Sequence, residues 1–324
     1  MKKQFLTLLI GALLCIGGSL KAEDIGGYAG SYLQYSLTPR ATGMGNAYTA
    51  VSDDIAAVFF NPGAVAQLQK LSVGAAYRDL SLGRSLQQLA VSFPVRGEAA
   101  LGLSAEMASV SDVVGRNTRG EPTGNLDNLD AVFSIIFSRR FSRFFSAGGD
   151  VRYYYKKLET TKAYSAGFDV GAMVHLKPEA GLPRNSKINL ARMAFVVRNI
   201  SAKFPWNTGD YWQPQGARGT SVTENVPLLV KVGASVLFMN SKLLLSVDGE
   251  KNGKQNFRVY TGGEYWIVEQ AALRAGLARG KPTFGLGVKI PAKKVDARID
   301  IAVEQARNVG GWESIFGLSI GILP

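Results

Sequence analysis

From about residue 70 onward, the chain alternates apolar and polar positions with period two, segment after segment. Between Thr283 and Ile290, the residues Phe284, Leu286, Val288 and Ile290 share one face; Thr283, Gly285, Gly287 and Lys289 share the other. Residues 295–304 repeat the pattern, with Val295, Ala297, Ile299, Ile301 and Val303 set against Asp296, Arg298, Asp300, Ala302 and Glu304. Such alternation predicts strands with one face in an apolar medium. Fourteen segments of this kind are expected, from 70–79 and 84–94 at the start to 295–305 and 312–322 at the end. Most have the length, about 9–11 residues, that a tilted strand needs to cross a bilayer.

The connections between these segments separate a soluble sandwich from a transmembrane barrel. The two longest, about 109–128 and 200–225, follow the third and seventh strands and so fall on one side. Tight turns near Phe141-Ser142 and Asn240 follow the fourth and eighth strands and fall on the other. Long outer loops with short periplasmic turns are the rule for outer-membrane barrels. The connection around Lys177–Lys187 is the exception, periplasmic yet longer than a turn. The expectation is therefore an all-β fold, a fourteen-stranded antiparallel transmembrane β-barrel occupying residues 70–324, in the outer membrane of a diderm bacterium.

In such a barrel the apolar face meets lipid, because a charge there at mid-bilayer costs several kcal/mol. Alternation then places Glu106, Asp150, Arg152, Asp169, Lys231, Asp248, Arg258, Glu264, Arg274, Lys289, Arg298 and Asp300 on the lumen wall. Both signs occur, so cross-strand pairing is expected; an unpaired charge in such a site would be costly.

The stretch before the strands is of another kind. Residues 40–66 are rich in small and turn-forming residues and nearly free of strand pattern. Asp53-Asp54 precedes the apolar run Ile55 to Phe60 and has side chains suited to an N-cap. Asn61 can cap a second turn, with Pro62 at its first position. Two short helical turns are expected, compact enough to sit inside something else, with Met44, Tyr48, Phe59 and Phe60 packing against a wall.

Arg40, Gly43-Met44-Gly45, Ala47-Tyr48, Ala50, Asp53-Asp54, Ala57 and Asn61-Pro62 resemble the N-terminal signature of the PorV/PorQ family, within the FadL-like outer-membrane barrels. Gly63 departs from the family's usual alanine. The segment from Tyr164 to Gly171, Arg198-Asn199-Ile200, Leu243 to Glu250, Gly262 to Trp266 and Leu273 to Gly276 are similar to its strands. The resemblance implies that residues 23–69 form a hatch inside the lumen. The ending Ile322-Leu323-Pro324 lacks the terminal aromatic residue such barrels usually carry, although Gly317, Ile320 and Ile322 keep the spacing of the assembly signal.

Composition adjusts this picture in three places. Met1-Lys2-Lys3, an apolar run from Phe5 to Ile16 and a short polar stretch ending at Ala22 have the order of a secretory signal peptide over residues 1–22. Cleavage there removes the single cysteine, Cys15, so no disulfide framework is available. The net charge of +12 suits anionic lipid headgroups or basic loops rather than nucleic acid, which an exported chain does not meet.

No catalytic constellation is visible, and neither a metal nor a cofactor is implied. His175, the one histidine, has no second histidine or cysteine to share a metal. Loop 200–225 carries Trp206, Tyr211 and Trp212 beside Phe204, Lys203 and Arg218. These residues suit either a protein or glycan contact or an aromatic girdle. By resemblance, the first functional reading is a component of type IX-like protein secretion, with secreted proteins or secretion components as partners. The alternative is a FadL-like channel for long-chain fatty acids or other hydrophobic small molecules. The charged lumen favours the first reading over the second, since a hydrophobic ligand wants a largely apolar pocket.

Overall fold

The computed structural model describes residues 29–111, 113–126, 128–177, 188–212, 216, 218–306 and 310–322. Expectations for the leader (1–22), Cys15, the connection 178–187 and Pro324 lie outside these residues, as does the side chain of Tyr211.

Period-two alternation is realised as a closed antiparallel barrel of fourteen strands. They are β1 (Leu71–Leu80), β2 (Arg84–Val95), β3 (Ala99–Val110), β4 (Asn128–Ser142), β5 (Phe145–Leu158), β6 (Thr161–Lys177) and β7 (Ile188–Ile200). The second half comprises β8 (Leu229–Phe238), β9 (Leu243–Asn252), β10 (Arg258–Trp266), β11 (Ala271–Ala278), β12 (Lys281–Ala292), β13 (Val295–Gln305) and β14 (Trp312–Ile322). Each pairs with its sequence neighbours, and β1 closes on β14 from Leu71 opposite Ile322 to Arg78 opposite Ile315. Closure leaves no open sheet edge for lipid to meet, which is what allows a sheet to span a membrane.

Alternate side chains divide inside from outside. Ile135, Phe137, Val151, Phe168, Met193, Leu286, Ile301 and Phe316 point out and are exposed, forming an apolar belt. Their neighbours along the strands point in and are buried, among them Ser134, Arg152, Asp169 and Asp300. Among the described residues no helix is long and apolar enough to cross a membrane; the strands do so. The connections 143–144, 239–242 and 293–294 are turns at one end of the barrel. The connections that carry 114–125 and 203–225 lie at the other end, the outer one by the barrel rule.

The two long outer connections are not plain loops. Val114–Arg116 pairs with Pro122–Asn125, and Lys203–Asn207 pairs with Ser221–Asn225. Neither hairpin shows in the sequence pattern, because their strands are only three to five residues long and rich in polar residues and turn formers. The second folds back over the barrel mouth: Phe204 is fully buried against Tyr154, Tyr32 and Leu33. Phe204 is thus a packing residue rather than part of an exposed contact surface, a correction to the reading of this loop.

Residues 29–70 run through the lumen. They contain α1 (Pro39–Gly43), α2 (Ala57–Phe60) and two 3-10 turns, Ser31–Gln34 and Pro62–Gln67. Nearly every residue from 37 to 66 is buried. Opposite parts of this stretch contact opposite walls: α1 touches β11 to β14, while Pro62–Gln67 touches β3 to β6. A buried segment that touches both sides of a closed barrel lies inside it. Gly30 packs on Val226 at the outer mouth, and Lys70 pairs with Asp296 at 2.6 Å near the periplasmic rim. The segment therefore descends the lumen from outside to inside before becoming β1.

Candidate functional site

Local chemistry shapes the inserted segment. Pro39 supplies the fixed φ that starts α1. Asn61 caps the second 3-10 turn, its side chain accepting from Gly63 N at 2.9 Å, with Pro62 at the first position, as the sequence leads one to expect. The same Asn61 amide donates to Thr49 O at 3.1 Å and Ala172 O at 3.3 Å, so one side chain ties the turn both to its own segment and to the wall.

Asp54 caps the turn leading into α2, its side chain accepting from Ala56 N at 3.0 Å and its carbonyl from Ala57 N at 2.9 Å. The carboxylates of Asp53 and Asp54 have a second role that capping does not foresee, as partners for arginines. Arg40 makes a two-pronged contact with Glu264 of β10, both bonds at 2.7 Å, and also donates to Tyr48 at 2.8 Å and Asp54 at 3.1 Å. Glu264 also accepts from Arg274 at 2.7 Å. Arg274 meets Asp300 at 2.8 Å by charge, Arg298 donates to Asp300 at 2.7 Å, and Arg298 returns to Asp54. Arg40, Glu264, Arg274, Asp300, Arg298 and Asp54 thus form a closed ring of alternating charge, two members from the inserted segment and four from the wall. Asp53 extends it to Arg192 at 3.4 Å. Burial alone would push the Asp54 carboxyl up; Arg298 and Arg40 outweigh it and hold it well below the usual range.

Beside this ring the segment meets the wall backbone to backbone. Gly43, Gly45, Gly262, Gly276 and Gly285 bring α1 and the following turn onto β10 to β12, and a Cβ on Gly45, Gly262 or Gly276 would collide with the main chain opposite. Gly45 also has φ of 62°, a left-handed conformation that favours glycine. Met44 between them is fully buried. Further along, Pro62 and Gly63 press on Gly148 and Gly171 in the same manner.

The remaining lumen charges fall into separate groups. Arg152 meets Glu106 at 2.7 Å, Asp169 at 3.2 Å and Asp150 at 3.9 Å, and Asp169 also accepts from Arg198 at 2.8 Å. Lys231 and Arg258 both face Glu250, at 2.8 and 3.4 Å. Asp248 accepts from the backbone N–H groups of Tyr48 and Thr49 at 2.9 and 2.8 Å, so it anchors the segment rather than pairing with a cation. Lys289 stacks on Trp266 at 3.9 Å. A strong cluster was not singled out from sequence: Arg78, fully buried, holds Glu304 at 2.9 Å, Glu313 at 2.7 Å and the carbonyl of Ser36 at 2.9 Å. Arg78 was legible as polar between Tyr77 and Asp79, but nothing local marks its partners on β13 and β14.

At the outer mouth the packing changes. A cavity of about 220 Å³ lies between the wall and residues 31–35, lined by Tyr32, Tyr35, Leu80, Leu86, Ala108 and Asp130 among others. A second space at this end, beside Gly30, Leu33 and Gln34, is about 20 Å³, and one deeper along the segment, beside Pro39, Arg40 and Phe59, is about 30 Å³. Trp206 donates to Glu224 at 3.0 Å within the outer hairpin, and Trp212 stands exposed at its far end. His175 is buried in β6. Among the described residues, no three His, Cys, Asp or Glu side chains are grouped to hold a metal.

No family model and no curated relative matches the chain. Among solved structures it is similar to a Pseudomonas aeruginosa FadL homologue, with TM-score 0.56 and 12% identity over 89% of this chain and 98% of that one. It is equally similar to the CymD monoaromatic hydrocarbon channel, with TM-score 0.56 and 12% identity over 89% and 98% of the two chains. The Pseudomonas putida toluene transporter TodX aligns with TM-score 0.55 and 10% identity over 87% and 96%. At these identities the likeness is one of fold. A closed fourteen-stranded barrel with an apolar outer belt is an outer-membrane protein of a diderm bacterium, and this chain is one.

Proposed function

We propose that this protein is a plugged outer-membrane channel for small hydrophobic molecules. The cavity at the outer mouth is its loading site, and residues 29–69 act as the hatch. The observation that carries this is the cavity of about 220 Å³ against Tyr32 and Tyr35, the largest of the spaces beside the segment described above. Its walls combine Tyr32, Tyr35, Leu80, Leu86, Ala108 and Val110 with the polar Ser31, Arg84, Ser85, Ser109, Asn128 and Asp130; the apolar half is what a small hydrophobic solute would contact. The barrels of similar fold described as hydrocarbon channel and toluene transporter support the same reading. The charged lumen, first weighed against transport, is compatible with it because most of those charges are spent on one another and on the hatch. Passage then requires the hatch to shift. Proteoliposomes carrying the full chain should take up a labelled monoaromatic compound faster than protein-free vesicles. Equal rates would remove the channel reading.

A second reading keeps the export role implied by resemblance to the PorV/PorQ family. It is favoured by the outer hairpins, which leave Val113, Val114, Trp212 and Val222 exposed beyond the barrel. Exposed aromatic and aliphatic side chains on a projecting hairpin suit a protein contact. Gentle purification from outer membranes should then recover secreted proteins or secretion components, and Trp212→Ala should reduce their yield. Recovery of the barrel alone would leave the channel reading in possession.

A further inference from the structure

Outside the barrel, the belt is not uniformly bulky. One row across β9 to β12 reads Leu245, Gly263, Ala275, Phe284, each directly opposite the next in the sheet. Gly263 and Ala275 lie between inward-pointing neighbours and so face lipid, yet they offer almost no side chain. The row nearer the periplasm reads Leu243, Tyr265, Leu273, Leu286. The result is an apolar groove of about 700 Å³, two small residues wide at its floor, with Leu245, Phe284, Tyr265 and Leu273 as its sides.

Its depth and rim identify what fills it. Gly263 lies three residues from the end of β10, about 10 Å at the usual strand rise. One leaflet of hydrocarbon is roughly 15 Å deep, so the groove opens to the periplasmic leaflet. The turns beneath it carry Lys242, Lys293 and Lys294, all exposed, against one exposed acid, Glu269. Asp296 at the same rim is already paired with Lys70. A membrane-facing floor two residues wide admits a single hydrocarbon chain, and the basic rim attracts a phosphate.

We propose that this groove holds one acyl chain of an anionic phospholipid of the periplasmic leaflet, with its headgroup on the lysines of the rim. The site is independent of whether the barrel conducts anything. It is also next to the hatch: Glu264 and Arg274 leave the other face of the same two strands, and Gly262 and Gly276 carry the hatch turn Gly43–Gly45. At this place only main chain separates the outer groove from the inserted segment.

The test uses the full chain reconstituted in vesicles of equal parts phosphatidylglycerol and phosphatidylethanolamine, extracted in mild detergent and read by native mass spectrometry. One retained phospholipid per barrel is expected, with phosphatidylglycerol preferred. Ala275→Phe should lower retention about tenfold, the equivalent of roughly two buried methylene groups. Leu318→Phe, an outward position on β14, should leave retention unchanged. Lys242→Glu with Lys293→Glu should abolish the headgroup preference while a lipid is still retained. Unchanged retention in Ala275→Phe overturns the proposal. A photoreactive phenylalanine analogue in place of Phe284, an aromatic side of the groove, irradiated in native membranes, gives a reading that leaves the floor unfilled. A phospholipid adduct supports the site, whereas an adduct with a second barrel or another protein overturns it.

Discussion

The inserted segment has two ends that hold on by different means. Residues 38–67 grip the wall through the charge ring, through glycine contacts and through Asn61, with a space of only about 30 Å³ beside them. Residues 29–37 rest on aromatic packing around Tyr32 and Tyr35, on bonds from Arg258 and Arg279 to the Gln34 side chain and from Arg78 to Ser36 O, with a cavity of about 220 Å³ alongside. The first arrangement specifies one position, because buried charges and backbone contacts tolerate little displacement. The second tolerates adjustment, because an aromatic ring keeps most of its contact area when it tilts. An inserted segment built this way is firm below and adaptable at the outer mouth.

The contrast can be broken most severely at Glu264. Glu264→Ala leaves Arg40 and Arg274 without their shared partner, and stranding buried charge costs about 3–5 kcal/mol. The hatch should detach while the barrel survives, seen as protease access to residues 40–60 with unchanged heat-modifiability. Gly276→Val should be next, because its side chain has no room beside Gly45, and overpacking costs about 1–3 kcal/mol. Asn61→Ala should loosen the hatch by about 1 kcal/mol through the lost cap, a modest rise in hydrogen exchange around Pro62–Gln67. If the barrel instead fails to assemble, Asn61 serves folding rather than gating.

Acidification should do least. A carboxyl held low contributes its stability above its ordinary range and loses it only as pH falls toward the lowered value. Asp54 is such a group, so moving from pH 7 to about pH 5 should leave hydrogen exchange around Arg40 unchanged. Release of the hatch over that interval would mean that some other group controls the ring. At the adaptable end, Tyr35→Ala should change uptake of an aromatic solute while leaving the exchange of residues 40–60 as in the parent.

Much of the wall was legible in the sequence, since lipid outside and water or charge inside force the same alternation on every strand. Phe284, Leu286, Val288 and Ile290 announce an outward face, and Lys289 between them can only turn in. The ring was not legible. Arg40 and Glu264 are 224 positions apart, and what brings them together is register around the barrel plus the path of the inserted segment. Asp53-Asp54 was legible only in part for a related reason: Asp54 does cap the turn after it, but the arginines that also claim these carboxylates come from elsewhere in the chain. Phe204 was misplaced because an aromatic residue in a polar loop looks like surface until the loop folds back.

The path of residues 29–70 also bears on how the barrel is built. The segment enters the wall as β1, and β1 is sealed by β14, the barrel strand farthest from it in sequence. Its contacts reach β3 to β6 on one side and β11 to β14 on the other, across most of the sequence. Such long-range contacts make folding slow, and threading a buried, charged stretch through a finished cylinder would be slower still. The economical order is for the strands to wrap around the segment, so that residues 29–70 act as the mandrel on which the cylinder is wound.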